Sequence, residues 1–284
     1  MKTELIVGVA QMTSIDSVAE NVKQISKLVR SVSEPCSFVL FPENCLYFRL
    51  EKKQQLPQIS FESEHIKALQ RLSDETQQRL MLGGVPWVSE KSSSKVKNSI
   101  VLIAPNKKPQ VYYSKIHLFD VDVPGAPPVR ESEVFDGGER PCILEVDGFL
   151  IGLSICYDLR FSYLYDIYAR LEVDAVVVPS AFLVPTGLAH WHTLLKSRAI
   201  ENQCYVLAAA QSGEHKSANG SRMTYGHTLA VGPWGDVLCD LGNQAPKVEV
   251  ITLKKEEINK VRSQIPMKNH RKQMALADIL RVSL

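Results

Sequence analysis

Along the chain, compact apolar runs alternate with stretches in which apolar residues recur every three or four positions. LIVGVA (5–10) is a run of strand length, and over 16–30 Val18, Val22, Ile25, Leu28 and Val29 fall at helical spacing, with Asp16 as the expected cap. SFVLF (37–41) follows, stopped by Pro42, and the spacing then predicts a helix around 62–78 and a strand near 80–85. Near-continuous apolar strands alternating with helices predict a sheet buried beneath helices.

The middle of the chain is richer in strands. NSIVLIAP (98–105) and QVYYSK (110–115) read as a hairpin, and residues 142–146 and 149–155 flank Asp147-Gly148, a two-residue hairpin turn. The pattern then predicts a helix near 162–171, a strand at 174–178, a helix at 188–201 and a strand at 204–210. Strands near 225–231, 236–241 and 247–252 and a charged helix near 255–263 complete it. Residues 116–140 break the rhythm. They are rich in Pro, Gly and acids over a length that is uncommon for a structureless stretch in a compact domain, so a lid or site wall is expected. Gly-Gly at 83–84 and at 137–138 read as turns. With no Pro/Gly/Ser-rich linker and no long repeat, residues 1–284 are expected to form one α/β domain.

Composition narrows the field. A content of 45% hydrophobic and 23% charged residues over 284 positions is that of a folded globular chain rather than a disordered or coiled-coil one. A formal net charge of +2 gives no global field for nucleic acid, and the basic stretch KNHRK (268–272) reads as a solvated end or a subunit rim. Six cysteines without a CxxC pair argue against a disulfide scaffold or zinc ribbon and fit a reduced, cytoplasmic setting. The N-terminal apolar stretch meets Gln11 instead of a cleavage site. The longest apolar run, Ala175–Val184, is cut by Pro179 and Ser180, short of the roughly 20 residues of a membrane span. A soluble chain is expected.

Three reactive residues end three of the apolar strands: Glu43 after SFVLFP, Lys115 after VYYS, and Cys156 after FLIGLSI. In sheets of this kind, functional groups collect beyond the carboxyl ends of strands, so residues far apart in sequence can converge there. A free thiol needs its proton removed to become a nucleophile, and a carboxylate is by itself about four pK units too weak a base. A lysine beside both favours the thiolate and can hold the oxyanion of a tetrahedral intermediate. Together they suit acyl transfer from an amide or nitrile, with no metal or cofactor required. His190 and His192, in HWH, point to different sides of a predicted helix and have no third ligand nearby in sequence, so no metal site is expected. Phosphate-loop motifs are absent. Ser154 in GLSIC is read as structural, because Cys156 stands where a nucleophile elbow needs its final Gly. Cys36, Cys45, Cys142, Cys204 and Cys239 are read as inert thiols.

FPEN (41–44), YSKIHLFD (113–120) and GLSICYDLRF (152–161) resemble the three catalytic-motif blocks of the nitrilase, or carbon–nitrogen hydrolase, superfamily, in that family's order and at its separations. The resemblance continues through VGVAQM (7–12), PSAF (179–182), HWHTLLKSRAIENQCYV (190–206) and YGHTLAVGPWGD (225–236). Within the superfamily, KIHLFDVDVPG, RESEVF and TYGH are most similar to the deaminated glutathione amidase branch, with the ω-amidases as near neighbours. The resemblance implies a four-layer αββα sandwich with Cys156 as nucleophile, Glu43 as general base and Lys115 as oxyanion stabiliser together with the Tyr157 N–H. Glu131 matches a second glutamate beside this triad. The implied reaction is amide hydrolysis through a thioester, most closely that of deaminated glutathione to 2-oxoglutarate and Cys-Gly. The implied assembly is a homodimer.

Arg160 has two readings: a surface or dimer-contact residue paired with Asp158, or a fork on the carboxylate of a 2-oxo acid substrate. Phe182 and Thr186 match positions bordering the acyl pocket in relatives. Ser162-Tyr163 replaces the usual Pro-Glu, and His192 replaces the usual Glu, which bears on substrate choice rather than on hydrolysis. The alternatives are an ω-amidase on 2-oxoglutaramate, another small-molecule amidase or carbamoylase, a non-catalytic scaffold of the same fold, and a redox sensor.

Overall fold

The computed structural model describes residues 2–88, 95–124 and 128–272. β1 (Glu4–Gln11), α1 (Val18–Ser31), β2 (Phe38–Phe41), α2 (Glu64–Thr76) and β3 (Leu80–Trp87) begin the chain, and β4 (Val96–Ile103) and β5 (Gln110–Ser114) follow. The first three strands pair in parallel, and the last two add antiparallel as the expected hairpin. The cap of α1 is Ser17, which accepts the Glu20 N–H, and not Asp16. Asp16 instead accepts hydrogen bonds from Gln54 and Asn219.

The segment expected to be structureless carries short regular pieces. β6 (Asp120–Val121) and β7 (Val129–Arg130) form a ribbon, a 3₁₀ turn covers Glu131–Glu133, and β8 (Phe135–Asp136) pairs with β4. A hairpin of β9 (Cys142–Val146) and β10 (Phe149–Leu153) turns at Asp147 and Gly148, whose φ values of 50° and 87° are those of the predicted tight turn. α3 (Ser162–Arg170), β11 (Ala175–Val177), α4 (Val184–Asn202) and β12 (Tyr205–Ala208) come next. The helix predicted to start at 188 thus starts four residues earlier. β13 (Ser212–Ser217) and β14 (Gly220–Tyr225) make a hairpin that the polar sequence SGEHKSANGSRMTY does not announce. β15 (Leu229–Val231), β16 (Val237–Asp240), β17 (Lys247–Lys254), α5 (Lys255–Gln264) and α6 (Met267–His270) end the described chain. Lys268 and Arg271, in the basic stretch expected to be solvated, pair with Glu172 and Asp166.

Two sheets result, in the orders β17-β1-β2-β3-β4-β5, with β8 on β4, and β16-β15-β12-β11-β10-β9. Strand alternation sorts their side chains. Phe38 and Leu40 of β2 join a core shared with the second sheet, whereas Val39 and Phe41 pack with Ile25, Leu28, Ile66 and Leu69 of α1 and α2. On the far side, Leu164, Tyr168, Trp191 and Leu195 of α3 and α4 cover the second sheet. The layers are therefore α, β, β, α. Covering both faces of a strand explains its unbroken apolar run, and burying each Leu, Val or Phe contributes about 1.5–3 kcal/mol.

Gly83-Gly84 is not a turn. It lies inside β3 at a register shift against β4, where a Cβ on Gly83 would sit 2.2 Å from Pro179 Cβ and 2.6 Å from the Phe41 carbonyl oxygen. The close approach of the Pro179 ring and the Phe41 backbone there, rather than chain reversal, demands glycine.

Candidate active site

Glu43 lies two residues beyond β2, Lys115 directly after β5, and Cys156 three residues beyond β10, while Glu131 opens the 3₁₀ turn behind β7. All four sit past strand ends, where the chain leaves its ladder and turns over the sandwich. Cys156 has φ 47°, a left-handed conformation rare for a residue with a side chain, and it starts the 3₁₀ turn Cys156–Arg160. The elbow is held from below. The Cys156 N–H donates to the Pro179 carbonyl at 3.0 Å, and Ser154 donates to the Val177 carbonyl at 2.8 Å while sharing a hydrogen bond with the Tyr165 hydroxyl at 2.8 Å. Ser154 is fully buried in this structural role.

Asp158 holds the elbow from the side. It accepts hydrogen bonds from the Ile155 N–H at 2.9 Å, the Tyr113 hydroxyl at 2.7 Å, the His117 N–H at 3.0 Å and His117 Nδ1 at 2.7 Å. Its oxygens are thus committed away from Arg160. Arg160 instead contacts His190 Nδ1 at 3.1 Å and lies over the Phe182 ring, 5.4 Å from its centroid.

A single ammonium organises the polar centre. Lys115, 2% exposed, places Nζ 2.8 Å from Glu43 Oε1 and 2.7 Å from Glu131 Oε2. Asn98, on β4, donates from Nδ2 to Glu43 Oε1 at 3.0 Å and to Glu131 Oε1 at 2.9 Å. The Ala181 N–H donates to Glu43 Oε2 at 3.1 Å, and the Phe119 N–H to Glu131 Oε2 at 2.7 Å. Gly84 (φ +61°) lets this cluster close, since a Cβ there would lie 2.6 Å from Glu43 Cγ and 2.8 Å from Asn98 Oδ1.

Burial alone pushes the Lys115 ammonium down, but the Glu131 and Glu43 carboxylates outweigh it and hold lysine well above its usual range. Burial pushes the Cys156 thiol well above the usual cysteine value, and the Glu43 charge adds to that. Lys115 and the Ala181 N–H pull the other way without offsetting it. At rest, then, the site holds a neutral thiol facing a lysine locked between two carboxyl groups.

A chamber of about 90 Å³ exposes these groups, with Glu43, Lys115, Glu131, Cys156, Phe119 and Ala181 among its lining residues. A larger groove of about 350 Å³ shares Arg49, Val129, Leu183 and Arg222 with it. The structure thus brings Glu43, Lys115, Glu131 and Cys156 together. Arg160, Tyr157, Phe182 and Thr186 are not among the residues lining the chamber, whose wall at that point is Ala181 and Leu183. The Tyr157 N–H still belongs to the first turn of the 3₁₀ segment, where donors lack partners within the turn. Thr186 donates to the Leu183 carbonyl at 3.2 Å inside the first turn of α4. Asn98 and Asp158 were missed from sequence. Asp158 has a local signal, since a carboxylate three residues after Ile155 can cap its N–H, but Asn98 has none.

The histidines of HWH part company, as their spacing requires. His190 meets Arg160, while His192 Nε2 lies 2.9 Å from Asp240 Oδ2, which His227 Nδ1 also approaches at 3.2 Å. The partners that the sequence does not place near His192 thus come from β16 and from the segment before β15. The donor atoms of His192, His227 and Asp240 lie within 4.8 Å of one another and could hold a metal ion, although each is already hydrogen-bonded to a neighbour. Partial burial pushes Asp240 up, but bonds from His192, Gly242 and His227 hold it below the usual carboxylate range.

A thiol on an αββα sandwich, flanked by a carboxylate and a buried lysine, defines a class of cysteine hydrolases. The carbon-nitrogen hydrolase family model matches residues 6–263, and the chain belongs to that family. It is 37% identical over 266 residues to a deaminated glutathione amidase of Synechocystis, covering 92% of this chain and 96% of that protein. It is 34% identical over 275 residues to a deaminated glutathione amidase of Dictyostelium discoideum, covering 94% and 93%. The crystal structure of the C. elegans NitFhit protein superposes with a TM-score of 0.82 at 31% identity, over 95% of this chain and 66% of that one. The chain is accordingly a hydrolase of non-peptide carbon–nitrogen bonds. Among the described residues, no helix is long and apolar enough to cross a membrane.

Proposed function

We propose that the chain hydrolyses deaminated glutathione to 2-oxoglutarate and Cys-Gly through a thioester on Cys156. The observation that carries the chemistry is the Cys156 thiol sharing one buried chamber with Glu43 and with a lysine bracketed by two carboxyl groups. As Sγ attacks the amide carbon, Glu43 takes the thiol proton, and Lys115 with the Tyr157 N–H holds the oxyanion. Glu43 then delivers its proton to the departing amine. It next takes a proton from water, which attacks the thioester and releases the acid and the thiol. Glu131 and Asn98 keep Lys115 and Glu43 in register.

The substrate assignment draws on the relatives' names and on the open groove beside the chamber, which offers room for a dipeptide leaving group. An ω-amidase reading is the neighbour, since the chain is also 30% identical to an omega-amidase of Xenopus tropicalis. Turnover of deaminated glutathione and 2-oxoglutaramate by the purified chain separates the two, with the first expected to have the larger kcat/KM. Cys156→Ala is expected to abolish turnover, and an electrophilic amide mimic to label Cys156 above the other thiols by mass spectrometry. Activity retained in Cys156→Ala would sink the mechanism.

We further infer that the working form is a homodimer in a reducing, cytoplasmic setting. Tyr163, Ile167 and Leu171, spaced four apart along α3 and its end, are 59%, 38% and 56% exposed, an apolar stripe suited to a second copy. Sedimentation equilibrium giving a single-chain mass would remove this inference.

A further inference from the structure

Two arginines stand where the chamber opens into the groove, and neither forms a salt bridge among the described residues. Arg222, on β14, makes one side-chain hydrogen bond, from Nη1 to the Arg49 carbonyl at 3.0 Å, and lies over the Phe48 ring at 5.4 Å from its centroid. Arg49 lines both the chamber and the groove and has no ion pair there. The neighbouring charges are already engaged: Lys52 pairs with Glu133 at 2.9 Å, and Arg130 with Asp122 at 2.7 Å. Glu51 lines only the outer groove. Glu43, the carboxylate inside the chamber, is held by Lys115, Asn98 and the Ala181 N–H. Burial and then the charge of Arg49 press the Arg222 guanidinium below its usual range, and the Glu43 charge pulls the other way without offsetting them. Two half-buried like charges side by side are unfavourable unless an anion bridges them, and a carboxylate does so through forked, charge-assisted hydrogen bonds.

We propose that Arg49 and Arg222 form an anion subsite that takes a carboxylate of the substrate. This rests on the amidase reading above but assigns a different residue pair from Arg160. Deaminated glutathione offers two such groups, the 2-oxo acid of the acyl half and the C-terminus of the dipeptide half. The arms of the test tell them apart.

Steady-state kinetics of the full chain on deaminated glutathione, on its C-terminal carboxamide and on an analogue lacking the 2-oxo acid carboxylate make that test, with Arg222→Ala, Arg49→Ala and Arg222→Lys as variants. The alanine variants are expected to lose roughly 10- to 100-fold in kcat/KM on deaminated glutathione, mostly in KM, with partial recovery in Arg222→Lys. The loss should vanish on the analogue missing the bound carboxylate, which identifies the half that is held. An equal loss on all three substrates, or no loss on any, overturns the proposal. Should Arg222→Ala fail to fold, Arg49→Ala carries the same comparison. If the wild-type chain ignores deaminated glutathione, the substrate assignment fails separately, and the arginine pair is tested on matched acidic and neutral forms of whichever amide it hydrolyses.

Discussion

Replacing Lys115 by Met tests the electrostatic account of the site most directly. Methionine fills a similar volume, so packing is largely kept while the one ammonium that, among the described residues, pairs with Glu43 and Glu131 disappears. At about 4 Å and an effective dielectric of about 20, each lost ion pair is worth on the order of 4 kcal/mol, before the desolvation of lysine is returned. Removing one member of a buried pair typically destabilises by about 3–5 kcal/mol, because the partner charge is stranded. Here two carboxylates are stranded, joined through Asn98. The variant is therefore expected to lose about 4 kcal/mol of unfolding free energy near neutral pH. Lys115→Met/Glu131→Gln should recover at least about 2 kcal/mol of it without restoring activity. Urea unfolding of wild type and both variants near neutral pH reads these quantities. No deficit in Lys115→Met, or no recovery in the double variant, would refute the claim that Lys115 balances both carboxylates.

His215 predicts a pH effect. It is fully buried, stacked on Phe48 at 3.9 Å, and hydrogen-bonded to the Ser14 carbonyl and to Thr224, both at 2.7 Å. Burial pushes it down from 6.5 to about 4, with Arg222 adding to that against the Ser14 bond. Between those values the unfolded chain binds the proton and the folded chain does not. Stability is therefore full above pH 6.5 and falls toward pH 4, by about 3 kcal/mol from this group. His215→Gln should flatten that part of a denaturation-versus-pH curve, and an unchanged slope would count against it. Gly83→Ala places its Cβ against Pro179 and the Phe41 carbonyl, so about 1–3 kcal/mol of stability should go. Because those segments lead to Glu43 and accept the Cys156 N–H, kcat should fall with it, and an active, fully stable variant would contradict the close approach.

What the sequence made legible was whatever the local pattern encodes. A sheet buried beneath helices was legible in apolar runs such as Phe38–Phe41 and in helical spacing such as Ile25, Leu28 and Val29, whereas the four-layer αββα order was implied by the family resemblance. Glu43, Lys115 and Cys156 were legible because each directly follows such a run. The hairpin of β13 and β14 was not, because its strands carry mostly polar residues and owe their pairing to tertiary contacts such as His215 with Ser14. Asn98 hides inside an apolar strand, and Gly83-Gly84 looks like a turn because sequence cannot show that Pro179 packs against it. Sequence left Arg160 with two readings, a contact residue paired with Asp158 or a carboxylate fork, and its neighbours in the fold are His190 and Phe182 rather than Asp158.

The structure also changes the chemical argument about the nucleophile. By residue type alone, a lysine beside a thiol and a carboxylate favours the thiolate. In place, burial and the Glu43 charge outweigh Lys115 and keep the proton on sulfur. A preformed thiolate would need Lys115 to itself, yet Lys115 is divided between Glu43 and Glu131. In the mechanism we propose, the proton therefore leaves as the carbon–sulfur bond forms, when negative charge passes to the carbonyl oxygen and meets the lysine and the Tyr157 N–H. That ordering favours substrates whose carbonyl reaches those donors over general electrophiles, and it leaves the resting thiol less open to oxidation than a thiolate would be.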